Sequence, residues 1–188
     1  MITKEKCKLL LPYAGLPVII AAMMVFLIKR VDTFIFLWLI LIAIFGYIVA
    51  VSDLTTKRIP NTIILVMFGA WVLTMAPKLI IDTENALSLL FDALLGFAVG
   101  GGLFLIVYLV SKKGLGGGDV KFMAATGLYT GFSGTLTAML CGSVLAALTG
   151  LILILAKKIG RKDPMPLAPF IYAGILITIF MPLAGSVN

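Results

Sequence analysis

The sequence contains two aspartates whose surroundings could support acid–base chemistry. Asp53 lies in SDLTTKRIPN (52–61), and Asp119 follows three consecutive glycines in GLGGGDVKFM (114–123). Two carboxylates held close together cannot both ionise comfortably, so one pKa rises and a proton is shared. One ionised and one protonated oxygen can then hold a water, deprotonate it as it attacks a peptide carbonyl, and protonate the forming oxyanion. This chemistry needs no histidine, and the chain contains none.

The composition indicates that both aspartates belong to an integral membrane protein. Of the 188 residues, 62% are hydrophobic and 12% are charged, whereas about a quarter of a typical soluble domain is charged. No soluble core of this size could bury so much apolar surface. We therefore predict an all-α fold, a polytopic membrane bundle of six or seven transmembrane helices that forms one domain over residues 1–188.

Seven apolar runs indicate where the chain crosses the membrane. A transmembrane helix needs about 20 mostly apolar residues, and the candidate runs are 9–28, 34–52, 60–77, 86–110, 119–131, 133–156 and 166–184. The fifth run is short and contains Gly127 and Gly131. It is either a separate span or a continuation into the sixth run. Seven spans are favoured, because a fused pair would break the alternation of sides after residue 131.

The basic residues predict the orientation of these spans. With the N-terminus in the cytoplasm and seven crossings, twelve of the fifteen Lys and Arg residues fall on the cytoplasmic side, as the positive-inside rule requires. Asp53 and Asp119 then reach the same membrane boundary, although 66 residues separate them. The net charge of +7 lies in short clusters at the ends of apolar runs, so it does not indicate a nucleic-acid-binding groove.

The other acidic residues and the cysteines give weaker indications of function. Asp92 lies inside the fourth run, and an acidic residue within a span is a functional candidate. The remaining acids are loop residues that ordinary solvation explains: Glu5, Asp32, Asp82, Glu84 and Asp163. Cys7 and Cys141 are far apart and predict neither a disulfide framework nor a zinc site. We therefore expect no metal ion and no cofactor.

Each aspartate of the pair also has a simpler interpretation. Asp53 could be an interfacial residue, and Asp119 could be an ordinary helix N-cap. The preceding Gly116, Gly117 and Gly118 favour a further role for Asp119, since glycine permits positive φ and the close approach of another backbone. Such a loop would suit an extended substrate lying against a catalytic acid. A hinge or a tight turn is the alternative explanation of these glycines.

Three motifs, taken in order, resemble those of the type IV prepilin peptidases. They are Asp53 followed after five residues by IPN (59–61), GGGDVKFMAATGLYTG (116–131) and PMPLAPFIYAG (164–174). That family consists of membrane aspartyl proteases with a Gly-x-Gly-Asp motif. The resemblance implies that Asp53 and Asp119 are the catalytic pair. It also implies substrate-binding or loop-supporting roles for a further set: Gly116, Gly117, Gly118, Lys121, Pro60 and Asn61.

The resemblance also implies a substrate and a location. Members of the family remove a short, positively charged leader from prepilins or pseudopilins at the cytoplasmic face of the inner membrane. The expected partners are thus such a substrate and the lipid bilayer; the oligomeric state is left open. Longer members carry two Cys-x-x-Cys pairs associated with N-methylation, and this sequence has only two cysteines. We therefore expect peptidase activity without methyltransferase activity.

Two rival functions remain at this point. Presenilin and signal-peptide-peptidase proteins share Gly-x-Gly-Asp, but they usually place Tyr before the partner aspartate, where this chain has Ser52. A small proton-coupled transporter could use Asp53, Asp92 and Asp119, although such transporters often show two repeated halves. No convincing repeat is visible here, so the peptidase interpretation is preferred.

Overall fold

A computed structural model describes residues 15–27, 31–111, 115–158, 160 and 165–180. The regular structure in these ranges consists of six helices: α1 (Leu16–Leu27), α2 (Thr33–Thr56), α3 (Asn61–Ile81), α4 (Thr83–Val110), α5 (Gly117–Leu155) and α6 (Ala168–Phe180). The four from α2 to α5 are long and apolar enough to cross a membrane. The predicted all-α, multi-pass membrane fold is confirmed.

Helix α5 is interrupted at Gly131, where φ is 65° and ψ is −173°. Gly100 of α4 shows how far the chain turns there. A Cβ built on Gly100 would lie 2.9 Å from the Met123 carbonyl oxygen and 2.8 Å from Thr135 Cγ2, so those two atoms are within about 6 Å of each other. Twelve residues of continuous helix would separate them by about 18 Å. The chain therefore folds back at Gly131.

The reversal divides α5 into two antiparallel segments, α5a (117–130) and α5b (132–155). Together with the other five helices they make seven helical segments in the described part of the chain, which agrees with the favoured count. The boundary predicted between 119–131 and 133–156 falls at Gly131 itself. The break needs glycine, because side chains avoid positive φ and a Cβ here would overlap the Asp92 carboxylate.

Small residues let α4, α5 and α6 pack closely. The backbones of Gly96 on α4 and Gly127 on α5a approach so closely that a Cβ on either would overlap the other. Gly174 of α6 meets α5b in the same way, at the Ala138 carbonyl. Packing of this kind is common between membrane helices, where small residues permit close backbone contact. The resulting contacts leave α5a largely buried, from Phe122 to Tyr129.

The two ends of the bundle differ in character. At one end of the bundle, which we call the site end, the C-terminal ends of α2 and α4 meet the N-terminal ends of α3, α5 and α6. At the opposite end, buried Lys78 of α3 binds Asp82 at 3.0 Å and Asp32 at 3.4 Å. The expectation that Asp32 and Asp82 are merely solvated is therefore wrong, since their charge ties together the ends of α2, α3 and α4.

Candidate active site

Asp53 occupies the last turn of α2 and is buried, with 7% of its surface exposed. Its Oδ2 accepts a hydrogen bond of 3.1 Å from the backbone N–H of Ala168, the first residue of α6. The N–H of Leu167 also points at this carboxylate. The first N–H groups of a helix have no partner within the helix and carry partial positive charge. The start of α6 therefore holds Asp53 in place.

The chain turns sharply after Asp53 and returns beside it. Helix α2 ends at Thr56, and Lys57 takes the left-handed conformation with φ of 52°. The Ser52 hydroxyl donates to the Arg58 carbonyl at 3.0 Å, which holds the loop against the helix end. Helix α3 then begins at Asn61, with Pro60 in the N-cap position. The compact loop keeps Asp53 next to the start of α3.

Asp119 is the third residue of α5 and takes part in starting that helix. Its N–H donates to the Gly116 carbonyl at 3.1 Å, and its Oδ2 accepts from the Gly116 N–H at 3.2 Å. This reciprocal pair resembles a capping box. The simpler interpretation of Asp119 as a helix-capping residue is thus partly correct. Its Oδ1, however, is buried without a hydrogen-bond partner among the described residues.

The structure brings Asp53 and Asp119 together at the site end. Asp53 lies close enough for its charge to act on Asp119. Each carboxylate uses its Oδ2 to bind the start of a helix, α6 for Asp53 and α5 for Asp119. The two carboxylates therefore lie within electrostatic range of each other, Asp53 buried and Asp119 half-buried, and each is anchored to a helix start.

The three glycines before Asp119 have ordinary backbone conformations, and they differ in how closely other atoms approach them. Among the described glycines, Gly131 is the one with positive φ, so Gly116, Gly117 and Gly118 do not use that conformational freedom. A Cβ on Gly118 would meet the Cβ of Ile59 at 2.9 Å, whereas a Cβ on Gly117 would come no nearer than 4.0 Å to the Tyr108 ring. Gly118 is thus the position where the loop before α3 requires glycine.

Lys121 and Asn61 connect the two helix starts that flank the aspartates. The Lys121 ammonium group donates to the Asn61 side-chain oxygen at 2.9 Å. Both side chains are exposed, as is Pro60. This contact places the starts of α3 and α5 side by side. It supports a loop-stabilising role for these residues, and their contact with substrate stays a prediction.

Asp92 lies away from the pair. Its Oδ1 accepts a hydrogen bond of 3.1 Å from the N–H of Phe132, the first residue of α5b. The position is beside Gly131, twelve residues along the chain from Asp119, or about 18 Å of helix. Asp92 thus caps the helix that follows the break, which gives this acid within a span a structural explanation.

The role of α6 in the site is not predictable from the sequence. The PMPLAPFIYAG motif resembles a family motif, but nothing in its composition indicates that its backbone N–H groups bind Asp53. The first residue of that motif, at position 164, lies outside the described residues. In the described part of the chain, no group of three or more His, Cys, Asp or Glu side chains could hold a metal ion.

Comparison with known proteins connects this arrangement to a family. The model of the type IV leader peptidase family matches residues 39–151, a range that contains both aspartates. A prepilin leader peptidase/N-methyltransferase of Bacillus subtilis (strain 168) is 31% identical over 130 residues, covering 69% of this chain and 50% of that protein. The leader peptidase HopD of Escherichia coli is 35% identical over 106 residues, covering 50% of this chain and 65% of that protein.

A third relative shows the same partial coverage. The prepilin leader peptidase/N-methyltransferase of Xanthomonas campestris pv. campestris is 31% identical over 132 residues, covering 66% of this chain and 44% of that protein. The chain thus spans about half the length of the curated relatives it matches. No solved structure matches the chain.

Proposed function

Because this chain belongs to the type IV leader peptidase family, we propose that it is an aspartic endopeptidase that removes the short, positively charged leader from prepilins or pseudopilins. The observation that carries the proposal is the meeting of Asp53 and Asp119 at one end of the bundle, with each carboxylate bound to a helix start. Relatives named as leader peptidases support the choice of substrate.

The surroundings of the two carboxylates suggest different roles for them. Burial disfavours the ionised form of Asp53, and the backbone N–H groups at the start of α6 offset part of that cost, because hydrogen bonds and a helix N-terminus stabilise negative charge. The buried Oδ1 of Asp119 has no partner in the described structure, and an unpaired buried anionic oxygen is costly. A proton on that oxygen removes the cost and creates a donor. Asp53 is thus the general base and Asp119 the general acid.

Hydrolysis then proceeds in two proton-coupled steps. Asp53 takes a proton from the water as its oxygen attacks the scissile carbonyl, and Asp119 gives its proton to the carbonyl oxygen, which forms a neutral gem-diol. As the diol collapses and the C–N bond breaks, Asp53 passes its proton to the leaving nitrogen, and a diol hydroxyl returns a proton to Asp119. Both carboxyl groups end in their starting states.

The distribution of basic residues supports a cytoplasmic location for the site end, in the inner membrane of the cell. Lys57, Arg58 and Lys121 lie there. Lys157 and Lys158 follow α5b at the same end, because Gly150 of α5b lies against Met165, just before α6. Among the described residues, the basic residue at the opposite end is Lys78, which is paired with two aspartates. Positive charge remains on the cytoplasmic side of membrane proteins.

The proposal concerns hydrolysis of the leader. Some relatives are also named as N-methyltransferases, but this chain spans only about half of their length or less. Methyltransferase activity is therefore not proposed for this chain. The transporter alternative gains no support from Asp92, whose carboxylate is engaged by the Phe132 N–H far from the pair.

Co-expression with a candidate prepilin tests the proposal. Wild-type protein should shorten the prepilin, while Asp53→Asn and Asp119→Asn should leave it full-length at normal membrane levels. Asp92→Asn is the matched control, because it also neutralises an acid within a span yet keeps an acceptor for the Phe132 N–H. Shortening by either site variant, measured by gel mobility and immunoblotting, would contradict the proposal.

A further inference from the structure

An apolar groove of about 380 Å³ opens between α2 and the first turn of α6, and its lining includes Leu54, the residue after Asp53. Its volume lies within the range of about 300–1,000 Å³ that is common for ligand sites. The lining residues are Tyr47, Ala50, Val51, Leu54, Thr55, Pro169 and Tyr172. Leu54 directly follows Asp53, and Pro169 directly follows Ala168, whose N–H binds the Asp53 carboxylate. The same two helices therefore form the groove and position the proposed base.

The groove runs from the level of Asp53 toward the middle of the membrane. Its lining residues on α2 extend from Leu54 back to Tyr47 along one helix face, at spacings of three and four residues. Seven residues of helix correspond to about 10 Å. An extended or partly unwound segment whose peptide bond lay at Asp53 could therefore continue into the bilayer along this face.

The walls of the groove suit an apolar segment. The Thr55 hydroxyl is engaged by the carbonyls of its own helix, at Val51 and Ser52, so it adds little polarity. The Tyr172 ring packs edge-on against Tyr47, with ring centres 5.8 Å apart. Gly46 leaves room for that ring, because a Cβ there would lie 2.6 Å from it. The Tyr172 hydroxyl is buried without a hydrogen-bond partner among the described residues, so the Tyr172 ring offers the groove mainly apolar surface.

The charges at the site end argue against recognition of the leader by this part of the protein. Exposed Lys57, Arg58 and Lys121 would repel a positively charged segment. The acidic residues described at this end are Asp53 and Asp119, which the proposed reaction already uses. These charged residues therefore offer no attraction for the leader, and the apolar part of the substrate is the part that the site end can bind.

We propose that the groove holds the first apolar residues of the substrate on the C-terminal side of the cleaved bond. This inference rests on the proposed function. Leu54 is its most accessible specificity determinant, because it lines the groove and has 58% of its surface exposed. A bound apolar segment would place the peptide bond that precedes it beside Asp53, while the charged leader extends into the cytoplasm.

A bulky substitution at Leu54 provides the kinetic test. Leu54→Trp should raise KM and lower kcat/KM for the prepilin that wild type shortens, by about tenfold or more, the scale at which an apolar pocket discriminates against a misfitting group. The matched control is Leu65→Trp, the same substitution at another exposed leucine. Leu65 lies one turn into α3 and does not line the groove. It should cleave like wild type.

Disulfide cross-linking tests occupancy without requiring hydrolysis. The experiment uses full-length protein in which Cys7 and Cys141 are replaced. Asp119→Asn keeps the substrate uncut, and a single new cysteine is introduced by either Leu54→Cys or Leu65→Cys. The prepilin carries one cysteine among the first apolar residues after its cleavage site. Mild oxidation should cross-link the prepilin to Leu54→Cys and not to Leu65→Cys.

The outcomes separate the two proposals. Equal cross-linking at both positions, or none at Leu54→Cys, while wild type still shortens the prepilin, would overturn the groove proposal and leave the peptidase intact. Wild-type cleavage kinetics in Leu54→Trp would also overturn it and would favour lipid as the occupant. A cross-link at Leu54→Cys with a wild type that cuts nothing would overturn the peptidase proposal instead. Absence of the cross-link at Leu54→Cys, together with a wild type that does not shorten the prepilin, would overturn both the groove proposal and the peptidase proposal.

Discussion

At the scale of single residues, the proposed mechanism gives the carboxylates of Asp53 and Asp119 two tasks each. The Oδ2 of each binds N–H groups at a helix start, which orients the side chain without a dedicated partner residue. The Oδ1 of Asp119 is buried without a partner among the described residues, and the proposed mechanism assigns the transferred proton to it. A carboxylate that both caps a helix and performs chemistry is positioned by the fold itself, so small shifts of the helix start should affect the reaction.

Gly118 is the residue through which such a shift can be produced. Gly118→Ala places a Cβ 2.9 Å from the Cβ of Ile59, so the start of α5 must move away from the loop before α3. A displacement of about 1 Å can cost on the order of a hundredfold in rate. We expect prepilin cleavage by Gly118→Ala to fall by about ten- to a hundredfold at normal membrane levels. Gly117→Ala, which has room, should cleave nearly as well as wild type; equal losses in both variants would contradict the contact argument.

The paired carboxylates also predict how activity depends on pH. At low pH both carry a proton and no base remains to activate water; at high pH both are ionised and no acid remains to protonate the carbonyl oxygen. The kcat/KM of purified protein in detergent should therefore fall on both sides of a maximum. A rate that stays flat from acidic to alkaline pH would exclude the shared-proton mechanism.

At the scale of helices, the break at Gly131 allows the short α5a segment to carry Asp119 inside the bundle. Asp92 supports this break by accepting the first N–H of α5b. A helix-capping acceptor of this kind typically contributes about 0.5–2 kcal/mol. The turn is thus held by a hydrogen bond from α4 as well as by the conformational freedom of glycine.

The Asp92 cap predicts different effects for two substitutions. Asp92→Ala removes the acceptor and should lower the free energy of unfolding by about 1 kcal/mol. Asp92→Asn keeps an oxygen for the Phe132 N–H and should lose less. Thermal unfolding in detergent, followed by circular dichroism, measures the difference. The reverse order, with Asn more damaging than Ala, would indicate that the charge of Asp92 matters and not its capping bond.

The helices were more predictable from the sequence than their contacts. The short apolar run at 119–131, with its two glycines, left open whether it was a separate span, and the alternation of membrane sides favoured the separation that the structure has at Gly131. The contacts of Asp53 with the N–H groups of α6, and of Gly118 with Ile59, join residues that are distant in sequence and use backbone atoms or plain packing. No local pattern encodes such contacts, so only the fold reveals them.

At the scale of the whole molecule, charge divides the bundle into two ends. The site end carries exposed lysines and an arginine, while at the opposite end Lys78 is buried and neutralised by Asp32 and Asp82. An isolated buried charge near a membrane is costly, and pairing removes much of that cost. The pairing of Lys78 therefore stabilises the fold, and the difference in charge between the two ends supports the proposed cytoplasmic location of the site end.

The orientation can be measured by labelling cysteines in intact cells. In protein without Cys7 and Cys141, Thr56→Cys lies at the site end and Glu84→Cys at the opposite end, and both positions are exposed. A membrane-impermeant thiol reagent should label Glu84→Cys in intact cells and Thr56→Cys only after permeabilisation. The opposite labelling pattern would move the site to the outer face and remove the charge argument for a cytoplasmic reaction.

The most direct test of the joint action of two carboxylates on one water is a double-mutant comparison on purified protein with a purified prepilin. Residues that act as a unit lose nearly all activity together, so Asp53→Asn, Asp119→Asn and the double variant should be equally slow. Substantial activity in either single variant, or a double variant slower than both by the product of their separate losses, would show that the two aspartates act independently.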